Sequence, residues 1–119
     1  MSVNTKFYVI AGYDLTNYKT DKYDDWFWTD EGEKYICNQT KGHIQLFDDP
    51  MCGNHLYFGY VLASGEEYEF DTTKFTINDI ERQIPYVYTK LNELEKTGAI
   101  SVDHELYSDF KIIAFVEYT

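Results

Sequence analysis

The sequence has few basic residues and no long apolar run. Its 119 residues include 10 Lys+Arg against 21 Asp+Glu, which gives a formal net charge of −11. A chain this acidic repels phosphate backbones, which argues against direct binding of nucleic acid. No stretch approaches the ~18 apolar residues that a membrane span requires, so we expect no membrane segment.

Cysteine is scarce as well, since Cys37 and Cys52 are the only two. The first residues show no basic stretch followed by an apolar one, which argues against a secretory signal. Two thiols in a chain without such a signal are typical of reduced residues. We therefore expect a cytoplasmic protein.

The motifs of common catalytic sites are missing. There is no Gly-x-Ser-x-Gly elbow and no P-loop, and the histidines lack the His-x-Thr/Ser pattern of two-histidine phosphodiesterases. Metal-ligating residue types occur, but without the tight pairs that zinc sites show. They are His43, Asp48, Asp49, Cys52, His55 and His104. We predict a non-enzymatic protein with no catalytic residue, no cofactor and no metal site.

Aromatic residues, in contrast, are abundant, because 12 Tyr, 8 Phe and 2 Trp make up 18% of the chain. This content disfavours disorder despite the high charge. A chain of this length buries about two thirds of its unfolded surface, which is enough for one hydrophobic core. We predict a single α+β domain over residues 1–119.

Five segments have the β-branched and aromatic composition of strands. They are 6–15, 41–47, 55–63, 66–71 and 110–118. Ser64 and Gly65 form a two-residue turn signal between the third and the fourth. The first and last segments are the most apolar, so we expect them to be neighbours in the middle of a mainly antiparallel sheet.

One long C-terminal helix, over about 77–97, is predicted to pack on one face of that sheet. Thr76 and Asp79 resemble a capping box, and apolar residues at helical spacing follow. This stripe consists of Ile77, Ile80, Ile84, Val87, Tyr88, Leu91 and Leu94. Pro85 lies within the pattern and should kink the helix or split it in two. Thr29 is a candidate cap for a short helix near 30–38.

The acidic residues are concentrated in two stretches, since 14–33 carries seven of the 21 acids and 66–71 carries four. In a strand, Glu67, Glu69 and Asp71 would point to the same face at a spacing of about 6.6–6.8 Å. A nucleic-acid strand is also a regular line of negative charge. This carboxylate ladder therefore predicts docking on a basic nucleic-acid-binding surface of another protein. The alternative is a solvated face that only protects a strand edge.

A second candidate patch combines acids with aromatic rings. The run Trp26-Phe27-Trp28 cannot face one way in any regular element, so we expect some of these rings to be exposed. The predicted partner-binding residues here are Asp21, Asp24, Asp25, Tyr23, Trp26 and Trp28. Tyr and Trp are enriched at binding hot spots, and acids suit a basic partner. The alternative is an aromatic cluster that holds the 16–28 loop against the sheet.

In composition, the chain resembles the small accessory proteins of bacteriophages that infect low-GC bacteria. Such proteins are short, acidic and rich in Tyr, Asn, Asp and Lys. Many inhibit host enzymes or defence nucleases, and several imitate DNA. This resemblance assigns no residue. Together with the acidic stretches, it predicts a phage-encoded inhibitor, DNA-mimic or anti-CRISPR-like, that covers a basic protein surface in the host cytoplasm.

Two other function classes stay open. One is a small hydrolase or nucleotide-binding protein that uses the 43–55 hairpin, which contains two of the three histidines. It predicts a concavity beside His43, His55 or Cys52. The other is a structural or virion component, which predicts a homo-oligomer.

Overall fold

The computed structural model describes residues 5–49, 55–66 and 75–118. Within these ranges the chain forms four strands, three helices and one short 3₁₀ turn. The strands are β1 (Thr5–Asp14), β2 (Ile44–Asp49), β3 (His55–Glu66) and β4 (Lys111–Tyr118). The helices are α1 (Tyr23–Phe27), α2 (Asp30–Glu33) and α3 (Ile77–Lys96), and the 3₁₀ turn is Leu106–Ser108. None of these helices is both long and apolar enough to cross a membrane.

The strands form one antiparallel sheet in the order β2-β3-β1-β4. The predicted α+β class is confirmed, with four described strands in place of five. β1 and β4 are neighbours, as predicted, and β1 is central. Among the described strands, however, β4 lies at an edge of the sheet and not in its middle, contrary to the prediction. Its apolar residues Ile113 and Phe115 pack on one face of the sheet instead of marking a central position.

The predicted turn at Ser64 and Gly65 is also wrong. β3 continues through both residues, with Ser64 opposite Tyr8 and Gly65 opposite Phe7 of β1. β1 provides hydrogen-bonding partners along this whole stretch of β3, and this pairing overrides the local turn signal. The rest of the predicted fourth strand, 67–71, lies outside the described residues.

α3 begins at the predicted cap. The Thr76 hydroxyl accepts from the Asp79 backbone N–H at 3.1 Å, and the Asp79 carboxylate accepts from the Thr76 N–H at 3.0 Å. This reciprocal pair satisfies two donors that the first turn of a helix leaves open. Further along, Val87, Leu91 and Leu94 are buried against the sheet.

α3 runs without a break through Pro85, so the predicted split does not occur, and the predicted kink stays a prediction. β4 follows α3, so the helix is not the C-terminal element that the sequence predicted. Pro85 has no N–H to donate to the Glu81 carbonyl. Both residues lie on the exposed side of the helix. Water can therefore replace the lost hydrogen bond. The first part of the predicted apolar stripe is not buried, because Ile77 is 74% exposed and Ile84 is 36% exposed.

We expect Thr76→Ala to lower the free energy of unfolding by about 1 kcal/mol, because it removes the hydroxyl that caps α3. Backbone and side-chain hydrogen bonds from Thr76 hold the pKa of Asp79 below its ordinary value. The stability that the ionised Asp79 carboxylate contributes is present above about pH 4 and is lost as the pH falls through the lowered pKa. Urea unfolding at neutral and strongly acidic pH measures both effects. Thr76→Ser keeps the hydroxyl and is the control, and an equal loss in both variants would contradict this prediction.

Apolar residues pack on both faces of the sheet. On the helix side, Tyr13, Leu46 and Phe58 of the sheet pack with Leu91 and Leu94 of α3. On the other face, a second cluster contains Tyr8, Ile10, Phe47 and Val61, each no more than 4% exposed. We call this second group the inner-face cluster.

The inner-face cluster shows that the sheet is strongly bent. Phe47 is opposite Tyr57 in β3, whereas Tyr8 is opposite Ser64, seven residues further along. In a flat sheet those positions would be about 23 Å apart. The rings of Tyr8 and Phe47 are nevertheless 4.8 Å apart, and both contact Phe115 of β4. The two ends of the sheet therefore fold towards each other around these rings.

Two glycines and a bulge lie where β1 and β3 bend. Gly12 is directly opposite Gly59, and the register shifts between Val9 and Ile10. A Cβ on Gly12 would overlap the Phe58 carbonyl oxygen, and one on Gly59 would lie 2.5 Å from the Ala11 carbonyl oxygen. The strands approach too closely here for any side chain on the facing side. Such bulges bend and twist a strand locally.

Candidate protein-binding surface

The segment that precedes α1 is fixed to the body of the protein by backbone hydrogen bonds. Thr20 N–H donates to the Ala99 carbonyl at 3.0 Å, and Ser101 N–H donates to the Tyr18 carbonyl at 3.0 Å. Lys19 forms a β-bridge with Ile100 between them. α1 therefore starts from an ordered base beside the end of α3.

Tyr23 and Trp26 lie one helical turn apart on α1 and both point into the core, where they are 2% and 8% exposed. The Tyr23 hydroxyl donates to the Asp48 carboxylate at 2.8 Å, and the Lys19 ammonium lies 3.7 Å from the same carboxylate. Burial raises the pKa of the Tyr23 phenol, and the neighbouring Asp48 raises it further. Two of the three predicted aromatic anchors are therefore internal supports, and we do not retain them as contact residues.

Trp28 is in the opposite situation, because its side chain is 84% exposed. It follows the last residue of α1, so its ring does not share the inward face of the helix. The ring stands edge-on to Phe27, with 5.2 Å between the centroids, and Phe27 in turn lies 5.7 Å from Tyr23. The exposed indole is thus backed by the half-buried Phe27 ring and, behind it, by the buried Tyr23 ring.

α2 starts immediately after Trp28. The Thr29 hydroxyl accepts from the Gly32 N–H at 3.2 Å and donates to the Trp26 carbonyl at 2.6 Å, so one residue joins the two helices. The predicted cap at Thr29 is confirmed, but α2 ends at Glu33 and does not extend over 30–38. The next residues, Tyr35 and Ile36, turn inward and pack on the core.

The carboxylates of this region are all at the surface. Asp24 and Asp25 occupy the outer side of α1, and the acids of α2 lie in its first turn, where the helix dipole favours negative charge. The exposed members are Asp21, Asp24, Asp25, Asp30, Glu31 and Glu33. These six acids and Trp28 are called the acidic Trp28 patch below. Asp30, Glu31 and Glu33 were not among the predicted partner-binding residues, although the Thr29 cap indicates their position in the first turn of a helix.

The patch combines one large exposed ring with a surplus of negative charge. Within the segment 21–34, the exposed bases are Lys22 and Lys34 against the six acids. A tryptophan with little side-chain freedom to lose is a good anchor for a protein partner, and surrounding charges select and steer that partner. This arrangement suits docking on a basic surface with a pocket for the indole.

The carboxylate ladder of Glu67, Glu69 and Asp71 lies outside the described residues and stays a prediction. Glu66, just before it, is the last residue of β3 and pairs with Lys6 of β1. The end of β3 therefore leads directly into this acidic stretch.

The 43–55 hairpin does border a concavity. An open groove of about 730 Å³ lies between β2–β3 and α3, with His43, Ile44, Tyr60 and Tyr86 in its walls. The His43 ring nitrogen lies 3.1 Å from the Thr40 hydroxyl. His55 is at the other end of the hairpin, stacked on Tyr57. The two histidines therefore do not converge on one site.

Among residues 5–49, 55–66 and 75–118, no three His, Cys, Asp or Glu side chains are close enough together to hold a metal ion. No protein-family model, curated protein or solved structure matches this chain. The acidic Trp28 patch is therefore interpreted from its own geometry and charge.

Proposed function

We propose that this protein is a non-enzymatic inhibitor that uses the acidic Trp28 patch to cover a basic, nucleic-acid-binding surface of a partner protein. The observation that carries this proposal is the 84% exposure of Trp28 beside six exposed carboxylates. Tryptophan is among the residues most enriched at binding hot spots, and surrounding charges steer a partner of opposite sign towards it.

The support beneath the patch favours a binding role over a solubilising one. Charge that only keeps a protein soluble needs no ordered aromatic backing. Here Tyr23, Trp26 and Phe27 pack beneath the acids, and the Tyr23 hydroxyl is tied to Asp48. These rings hold the backbone from which Trp28 projects, and an ordered backbone costs less conformational entropy on binding than a mobile one.

The net charge of −11 suits a positively charged partner. Long-range attraction raises the rate at which such a partner is met, and a surface that binds nucleic acid has this sign by necessity. We propose a phage-encoded, DNA-mimic or anti-CRISPR-like inhibitor as the particular form, acting in the host cytoplasm. The ladder Glu67, Glu69 and Asp71 would extend the negative surface in this proposal.

We expect Trp28→Ala to weaken partner binding by about 30-fold or more, because it removes the central anchor. The free energy of unfolding should change by no more than about 0.5 kcal/mol, since the side chain is 84% exposed. Immobilised protein captures partners from a bacterial lysate, and the captured partner is then purified and titrated. A partner bound equally well by Trp28→Ala would exclude the patch as the contact.

The double variant Asp24→Lys/Asp25→Lys tests the charge separately. It should slow association about tenfold at low salt and lose this difference at high salt. Glu81→Lys/Glu105→Lys is the matched control, because it makes the same change of net charge at two exposed acids outside the patch. Equal effects of the two double variants would mean that total charge, and not the patch, determines binding.

A DNA duplex provides the decisive competition. If the protein covers the partner's nucleic-acid site, the duplex and the protein should exclude each other from the purified partner. A ternary complex of partner, duplex and protein would overturn the inhibitory mechanism while leaving Trp28 as a binding anchor.

A further inference from the structure

Among the described residues, one edge of the sheet is covered by another segment and the other edge is not. The outer edge of β2 is covered by the segment that follows α2. Leu46 N–H donates to the Tyr35 carbonyl at 2.7 Å, and the Gln39 side-chain amide donates to the Leu46 carbonyl at 2.7 Å. This cover prevents another strand from pairing with β2.

β4 forms the other edge, and its outer side has no such cover within the described part of the chain. It pairs with β1 over eight residues without a bulge. Natural sheet edges usually carry a central charge, a proline or a bulge that blocks pairing with another chain. The central stretch 112–116 has none of these, because it reads Ile-Ile-Ala-Phe-Val.

The sequence of β4 is self-complementary about Ala114. An antiparallel pair of β4 strands centred on this residue places Lys111 of one copy, whose ammonium lies 3.0 Å from Asp109 of its own chain, opposite Glu117 of the other. Ile112 then faces Val116, and Ile113 faces Phe115. Opposite charges and matched apolar residues directly across an antiparallel pair are the contacts that stabilise sheets. A shift by one residue would oppose Lys111 to Val116 or to Tyr118 and lose both ion pairs.

We propose that β4 binds β4 of a second copy of this chain in this register, joining the described sheets of the two copies into one continuous sheet. The pairing covers the exposed apolar side chains of the edge, among which Ile112 is 48% exposed. On the other face, Ile113 and Phe115 already pack on the inner-face cluster. Pairing them across the axis extends that cluster from one copy into the next.

Two charge variants and their mixture test the register. Lys111→Glu opposes two glutamates at each end of the pair, and Glu117→Lys opposes two lysines. Each variant alone should weaken self-association about tenfold, because attraction becomes repulsion at two symmetric positions. A one-to-one mixture restores both opposite-charge pairs and should associate as the original chain does. Sedimentation velocity over a wide concentration range measures all three, and a misfolded variant would fail in the mixture too.

A disulfide provides a second, independent measurement. Ala114 lies opposite itself in the proposed pair, at a Cα separation of about 4.5–5.5 Å, which a disulfide can bridge. Ala114→Cys should therefore cross-link into a covalent dimer on mild oxidation. Ile112→Cys is the matched control, since two such residues lie on opposite sides of the axis and should not cross-link. Both variants keep Cys37 and Cys52.

Three results would overturn the proposal. They are a monomer at the highest soluble concentration, a mixture of the charge variants that associates no better than either alone, and equal cross-linking of Ala114→Cys and Ile112→Cys. These readouts involve no residue of the acidic Trp28 patch. Failure here therefore leaves the proposed inhibitory function unaffected.

Discussion

Gly12→Ala should lower the free energy of unfolding by about 3 kcal/mol or more, a large part of the total for a domain of this size. The new methyl group would overlap the Phe58 carbonyl oxygen and approach the Gly59 Cα to 2.5 Å. Both obstacles are backbone atoms of the neighbouring strand, so no side-chain rotation can relieve the contact. The β1–β3 pair must separate locally or lose its bend.

The loss of the bend would reach beyond the glycine. Tyr8 and Phe47 meet at 4.8 Å because the two ends of the sheet fold towards each other. A flatter sheet would open the inner-face cluster, in which Ile10, Phe47 and Val61 have no exposed surface. We therefore expect the Gly12→Ala protein to show reduced near-ultraviolet circular dichroism from its rings in addition to a lower unfolding midpoint in urea.

Gly42→Ala separates this steric effect from a conformational one. Gly42 has a φ of 94° and no atom within 4 Å of a Cβ, so alanine there meets backbone strain without overlap. We expect a cost of about 1 kcal/mol, well below that of Gly12→Ala. Equal costs at the two glycines would show that the close approach of β1 and β3 is not what makes Gly12 necessary.

Local signals in the sequence predicted the elements that depend on local physics. The capping box at Thr76, the cap at Thr29 and the buried Leu91 and Leu94 all follow from spacing along the chain. The Ser64-Gly65 pair failed because the same dipeptide is compatible with a turn and with a strand end. The pairing of Gly65 with Phe7 decides between them, and that contact is distant in sequence.

Local signals also predicted part of the candidate site, and contacts distant in sequence determine the rest. Residues 21–33 are visibly acidic and aromatic in the sequence, and Asp21, Asp24 and Asp25 are exposed in the structure. Which ring is exposed depends on where α1 ends. Tyr23 and Trp26 share its inner face, and only the break after Phe27 releases Trp28. The Gly12–Gly59 approach and the pairing of β4 at the edge are likewise products of long-range register.

The protein should unfold cooperatively in alkaline solution, between about pH 10 and about pH 12, before its buried phenols titrate. Burial, together with the negative charge of Glu117, raises the pKa of Tyr8 to about 12. Burial also raises the pKa of Tyr13 and Tyr23. These three side chains are at most 4% exposed.

The free energy of unfolding falls with rising pH because burial favours the neutral form of the phenol. Below about pH 10 the phenols are protonated in both states, and the full stability is present. Above it, the unfolded chain releases protons that the folded chain retains, so the free energy of unfolding falls as the pH rises towards the raised pKa values. Each such tyrosine removes up to about 1.4 kcal/mol per pH unit, so three remove up to about 4 kcal/mol per pH unit. A domain in the lower part of the usual range of about 5–15 kcal/mol then unfolds before about pH 12.

Urea unfolding at successive pH values measures the slope, and tyrosinate absorbance shows whether the phenols titrate with unfolding. Tyr8→Phe removes one buried phenol, so its free energy of unfolding should fall less steeply above about pH 10. Tyr86→Phe is the matched control, because Tyr86 is 63% exposed and its removal should leave the slope unchanged. Lysine deprotonation and the growing negative charge act equally on both variants. Identical alkaline slopes for Tyr8→Phe and Tyr86→Phe would therefore show that the buried Tyr8 phenol plays no part in the transition.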